Sequence, residues 1–364
     1  YLLTCGASAG LAAAFHAPLA GVMFSLEEVH KNFSVSVLVS VMTASLSADF
    51  MASTVMGVDS VFQFQIVRAL PPNRYGMILL LGIILGVLGA FYNWFTLKVQ
   101  SFYRNAKGLS VTQKLMLPFF CAGILGFTMP EFLGSGHALL DYLTTEDVML
   151  GTILFILAGR FVFSAVCFGS GAPGGIFFPL LVLGGFIGGA FATVGVHYMG
   201  LDMMYINNFV VLAMAGYFAA IVRAPLTGII LIFEMTGSLS QMMTLSIVSV
   251  VAYIVATLLR SKPIYESLLE RILEQQKGEK VVDHGQKALQ NFVVLQGSRL
   301  DEALIKEIEW PRNCLIVGIQ RGSDEIIPRG STKLQTGDVI VAMTNEQDIA
   351  AVHDGMEKLC REEF

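Results

Sequence analysis

The sequence predicts an all-α polytopic membrane domain with broken helices, followed by a small α+β domain. Three observations carry this. Hydrophobic residues make up 54% of the 364 and charged residues 14%, with a mean hydropathy of +0.66, as in a chain that crosses a bilayer several times. The charges are unevenly spread: of 23 basic and 28 acidic residues, 20 lie in positions 1–260 and 31 in the last 104. Finally, several apolar stretches are interrupted by Gly and Pro. The boundaries expected from these shifts are a membrane domain over 1–272, a linker over 273–290 and a soluble module over 291–364.

The first membrane stretch, 2–15, is rich in Ala and Gly, as in a tightly packed helix. Ala17-Pro18 breaks it. The apolar segment that follows, 19–26, is too short to cross a bilayer and ends in Glu27-Glu28. Half-length helices ending in charges are what broken-helix transporters use near the midplane. Residues 32–48 and 75–97 read as charge-free helices. Arg104, Lys107 and Lys114 then cluster before a helix over 115–130, which places that loop on the cytoplasmic side by the positive-inside rule.

A helix over 148–159 leads through Arg160 into CFGSGAPGGIFFP, residues 167–179. The run 161–201 around it contains no Asp, Glu, Lys or Arg. Gly169, Gly171, Pro173, Gly174 and Gly175 break the helix there and leave backbone amides without partners. At bilayer depth such backbone must be covered by protein or line a cavity. A new helix begins near Ile176, and its free amides and positive dipole end suit an anion. The residues alone leave open a second use, close helix packing through glycine. Apolar segments at 203–222, 224–233 and 235–259 follow, separated by Arg223 and Glu234.

An internal repeat runs through this domain. AAAFHAPLAGVMFSLEE (12–28) aligns without gaps on AAIVRAPLTGIILIFEM (219–235), 207 residues later, with seven of seventeen positions identical. The identities include Ala-Pro-Leu, the next Gly, and Glu27 with Glu234. Paired, Pro-interrupted segments in two halves point to a substrate path between repeats. Capping or ion pairing is the expected role of Glu27 and Glu234.

Beyond Ser261 the character changes. An amphipathic helix over 263–273 leaves the membrane and a charged stretch follows over 274–287. Strands are expected at 292–295, 314–319 and 338–343, a helix at 301–308, a turn at Arg329-Gly330 and a closing helix at 347–359, a βαβββα-like module.

Composition also excludes. A net charge of −5 offers no basic surface for nucleic acid. Cys5, Cys121, Cys167, Cys314 and Cys360 show no paired or CxxC spacing, so no disulfide framework or metal site is expected. Gly134-Ser135-Gly136-His137 and Gly169-Ser170-Gly171 could suggest a serine hydrolase, but no His stands out as the base that chemistry needs. No enzyme and no cofactor are expected. Residue 1 is Tyr within an apolar stretch, without a signal-peptide n-region, and the chain is expected to begin in mid-protein.

GSGAPGGIFFP, AAAFHAPLAGVMFSLEE and the second APLTG with Glu234 together resemble the CLC family of chloride channels and proton-coupled chloride exchangers, over residues 1 to about 271. The resemblance implies an inverted-repeat, homodimeric fold with one pore per subunit in the cell (inner) membrane, of the bacterial type. The tail resembles the C-terminal regulatory domain of TrkA-type potassium-uptake proteins and not a CBS pair, and the implied arrangement is a cytoplasmic module with a small-molecule ligand.

Several residues carry over. The amides of Ile176 and Phe177, reached past Gly174 and Gly175, match those that bind the central anion. Fixed dipoles suit conduction, because the ion must also leave. Tyr265 matches the tyrosine whose hydroxyl touches the same anion; by itself it also fits an interfacial belt tyrosine. Glu28 matches the inner proton-transfer glutamate, and desolvation at the end of an apolar segment would let it exchange protons near neutrality. By itself it also reads as a solvated helix-end residue. Channel members usually lack an acid here, so the resemblance implies chloride–proton exchange, with a passive voltage-gated or leak channel as the alternative. The family's gating glutamate (GxEGP) and early anion-contacting serine (GSGxP) motifs are expected upstream of Tyr1; the GSGAP of 169–173 belongs to the central stretch before GGIFFP. The upstream pair bears on coupling and on chloride against nitrate. Fluoride export fits the pore pattern less well. His16 stands where the family usually has Asn, and a neutral His serves as a hydrogen-bonding packing group.

Overall fold

The structure, a computed structural model, describes residues 2–31, 33–57, 70–106, 108, 110–145, 148–172, 174–237, 239–277, 287–322, 324–345 and 348–361. Pro173, Lys107 and half of the expected linker, 278–286, lie outside them. The chain divides into two compact units, Tyr1–Arg271 and Ile272–Phe364.

The first unit is helical. In chain order it contains α1 (Leu2–Phe15), α2 (Pro18–Phe24), α3 (Val35–Met56), α4 (Tyr75–Asn105), α5 (Val111–Thr128) and α6 (His137–Thr145). Then come α7 (Leu150–Gly169), α8 (Phe177–Tyr198), α9 (Ile206–Val222), α10 (Pro225–Thr236) and α11 (Met242–Leu258), and α12 (Ile264–Lys277) begins in this unit and runs past Arg271. Among the described residues, six helices are long and apolar enough to cross a membrane, and α1, α10 and α11 are shorter apolar helices.

Helix α9 is the centre, buried on every side from Asn208 to Val222. A helix apolar all round must be wrapped by others, and α4, α8, α10 and α11 do so. In an apolar solvent, close backbone approach replaces the hydrophobic drive, so small residues mark the seams. A Cβ at Gly188 of α8 would lie 2.3 Å from the Phe209 carbonyl oxygen, and one at Gly184 would lie 2.8 Å from that of Ala213. On the other side, Gly82 and Gly86 of α4 admit Val251 and Val255 of α11.

Each half of the repeat is a helix, a break and a half-helix starting on Pro. The residues at the two breaks, His16 (φ +48°) and Arg223 (φ +73°), are both left-handed and stand at equivalent repeat positions. The halves then diverge. α10 runs as ordinary α-helix to Thr236, whereas α2 widens after Phe24 into a π-helical turn, Ser25–His30. The sequence reading gave no sign of that turn, and it also missed α6.

The second unit is a four-stranded antiparallel sheet in the order β1-β4-β2-β3, with β1 Lys287–Val293, β2 Cys314–Arg321, β3 Asp324–Ile326 and β4 Val339–Asn345. The closing helix α13 (Ile349–Arg361) sends Val352, Met356 and Cys360 into a core with Phe292, Ile319, Ile340 and Ala342. The helix expected over 301–308 does not form. Ile305 and Lys306 donate their amides to Thr332 and Gly330, and Leu334 donates to Ala303. Those pairings leave only a 3-10 turn, Ile305–Glu307.

Candidate functional site

Helix α7 ends at Gly169, and the chain turns at Gly171 (φ +82°). Ser170 stitches this turn, its hydroxyl donating to the Cys167 carbonyl at 2.7 Å and accepting from the Ala172 amide at 3.3 Å. Helix α8 then starts with Ile176 at its N-cap, 2% exposed, and no side chain caps it. The opening amides of a helix have no intrahelical acceptor, so the Ile176 and Phe177 amides stand at the positive end of a 22-residue helix.

The two glycines before it do not serve packing. Gly174 and Gly175 are exposed, and a Cβ at either would meet nothing within 4 Å, whereas one at Gly169 would meet Val99 at 2.7 Å. A cavity of about 230 Å³ lies along this loop, lined by Arg160, Ser164, Gly174, Gly175 and Ile176 among others. The buried Arg160 guanidinium donates to the carbonyls of Phe132 (2.6 Å) and Gly134 (3.2 Å).

Phe177, the first residue of α8, is half-buried in a cluster of rings from four other elements. Its centroid lies 4.8 Å from Phe218, 5.1 Å from Phe15 and 5.9 Å from Phe24. Phe24 in turn meets Tyr265 edge-on at 6.2 Å. The structure therefore brings Ile176, Phe177 and Tyr265 to one neighbourhood through Phe24, a contact sequence reading did not find.

Phe24 is also the last α-helical residue before the π turn that carries both glutamates. Glu27 accepts from the amides of Leu226 (3.2 Å) and Thr227 (2.8 Å) and from the Thr227 hydroxyl (2.8 Å), which caps the start of α10. Glu234, its repeat counterpart, accepts from the amides of Leu19 (3.0 Å) and Ala20 (2.7 Å), which caps the start of α2. Each half-helix is thus capped by the carboxylate at the end of the other. Glu28 is outside this exchange. It is half-buried, with Lys31, Glu266 and Glu27 as its charged neighbours, and Lys31 is ion-paired with Glu266. The repeat position of Glu28 is filled in the second half by Met235, 2% exposed.

His16 lies 3.2 Å from an Asp49 carboxylate oxygen and 3.3 Å from the Ser53 hydroxyl, through Nδ1. It ties the first break to α3.

Comparison with known proteins identifies the family. The sequence profile of the voltage gated chloride channel family matches residues 1–257, and that of the TrkA-C domain matches residues 289–354. The chain belongs to the voltage-gated chloride channel family, CLC, and is a multi-pass membrane protein. It is 37% identical over 282 residues to the H(+)/Cl(-) exchange transporter ClcA of Vibrio cholerae serotype O1 (strain M66-2), covering 76% of this chain and 60% of that protein. The chain therefore spans about 60% of the length of this curated relative.

Among solved structures, a slow cyanobacterial Cl-/H+ antiporter superposes with a TM-score of 0.71 at 32% identity, over 76% of this chain and 65% of that one. A CLC-type fluoride/proton antiporter superposes at 0.59 with 22% identity, over 72% of this chain and 64% of that one, a likeness of fold.

Proposed function

We propose that this chain forms the anion pathway of a secondary active transporter that moves chloride, or a similar small anion, across the cell (inner) membrane in exchange for protons. The carrying observation is the uncapped start of α8, beside glycines that no packing requires. There the amides of Ile176 and Phe177 would hold a dehydrated anion with the Tyr265 hydroxyl, and Gly174 and Gly175 would let it approach the backbone. Dipoles without a full positive charge hold an anion weakly enough for it to leave.

Glu28 hands the proton to and from the cytoplasm. Its support is asymmetry: Glu27 and Glu234 are equivalent and both spent on capping, while Glu28 has no equivalent in the second half. The exchangers similar to this chain support the same reading over a passive channel. Residues 1–272 would carry transport as a homodimer, and the soluble module, whose β1 begins at Lys287 inside the linker expected over 273–290, would be a cytoplasmic regulatory module with a small-molecule ligand.

The experiment is Glu28→Gln in the intact protein in liposomes. A chloride gradient should cease to drive proton movement while chloride flux continues. Proton movement equal to the wild type would remove Glu28 from the mechanism. A reversal potential indifferent to a proton gradient in the wild type would favour a channel.

A further inference from the structure

We propose that Asn93 and Arg223 are positioning residues for the anion site, holding the turn that sets where Tyr265 lies. The inference rests on the reading above, in which Tyr265 completes that site.

The turn joins α11 to α12. Arg260 donates its amide to the Thr257 carbonyl at 2.9 Å and Ser261 donates to that of Ala256 at 3.2 Å, the bond pair that closes a Schellman helix end. Such an end needs one left-handed residue, and glycine is the usual occupant. Here it is Arg260, at φ +52°. A side chain in that conformation is strained, and strained backbone persists where its surroundings over-determine it.

Two polar side chains from elsewhere in the fold do this. Arg223 donates to the Tyr253 carbonyl (2.6 Å), the Thr257 hydroxyl (2.7 Å) and the Ser261 carbonyl (2.7 Å). Asn93 is 2% exposed, and its Nδ2 lies 3.1 Å from the Lys262 carbonyl, 3.3 Å from the Ser261 hydroxyl and 3.2 Å from the Ile221 carbonyl. Together they grip the last turn of α11 and both residues after the left-handed one. Pro263 then opens α12, accepting from the Ser267 amide at 3.1 Å, and Tyr265 follows on that first turn. α12 cannot slide or rotate without breaking these bonds. The place of the tyrosine, whose ring meets Phe24, is therefore set by α4 and by the α9–α10 break.

Two further contacts favour the same reading. Arg271, farther along α12, donates to the Leu97 carbonyl and the Gln100 side chain of α4, both at 2.8 Å. Arg223 also occupies the repeat position of His16. The first half uses that hinge residue to bind α3, and the second uses it to bind the turn that leads to Tyr265.

The test measures chloride affinity of the intact purified protein by titration calorimetry for Asn93→Ala, Arg223→Gln, Arg223→Lys and Tyr265→Ala, alone and combined. Asn93→Ala and Arg223→Gln should each weaken binding about 5- to 10-fold, and Arg223→Lys should recover part of the loss. In a Tyr265→Ala background the same substitutions should change affinity less than about twofold, because they act through the tyrosine. Unchanged affinity in folded single variants, or equal losses with and without Tyr265, overturns the proposal. Should Arg223→Gln not fold, the Asn93→Ala and Arg223→Lys cycles decide it. If Tyr265→Ala itself leaves affinity unchanged, the reading of Tyr265 falls as well. If it weakens binding while the other variants do not, only the positioning role falls.

Discussion

Glu27 and Glu28 are neighbours, but only Glu27 caps a helix. Glu27 satisfies two orphan amides and a hydroxyl at the start of α10, and a negative charge at the positive end of a helix adds to the bonds. Glu27→Ala should cost about 1–2 kcal/mol, seen as a lower melting temperature of the purified protein, and Glu234→Ala should cost a similar amount. Glu28→Gln, which breaks no cap, should melt close to the wild type. Equal destabilisation by all three would place Glu28 among the structural residues. The sequence made this division half legible: the repeat exposed the equivalence of Glu27 and Glu234, but not that each caps the other's helix. Partners some 200 residues apart leave no local pattern.

Among the elements, those set by apolar length and by Pro were readable, and those set by tertiary hydrogen bonding were not. The break at Ala17-Pro18, the half-helix after it and the start of α8 at Gly175-Ile176 lie where the residues put them. The π turn Ser25–His30 does not follow from propensity; it lies where Glu27 is held against α10. The stretch 301–308 fails in the opposite sense. Its composition favours helix, but residues 330–334 take up its backbone groups. The α8–α9 seam gives the element-scale prediction. Gly188→Val would drive a side chain into the Phe209 carbonyl and should destabilise the membrane unit by about 3 kcal/mol. Size-exclusion chromatography after heating would report it, and wild-type behaviour would show that the seam is not tight.

The molecule as a whole joins two units of different chemistry, an apolar helical body and a polar sheet module with its own core. In the module Arg321, itself partly exposed, grips the buried Asp338 with two bonds of 2.8 and 2.7 Å while the Gln335 amide adds a third at 3.0 Å. The Arg321 hydrogen bonds hold the Asp338 carboxyl below the usual aspartate range. A depressed folded-state value contributes stability that is fully present above the unfolded value, about 3.9, and lost as pH falls through the folded one. The module should therefore loosen below about pH 4, seen as loss of amide-exchange protection in β4. In Arg321→Gln that acid dependence should shrink or reverse, and an unchanged profile would contradict the assignment.

The proposed transport turns on whether an anion rests where α8 begins. Crystals of the intact protein grown in bromide test this most directly through anomalous scattering. The account predicts a peak within hydrogen-bonding distance of the Ile176 and Phe177 amides and the Tyr265 hydroxyl; a map with bromide elsewhere and none at that position would contradict it.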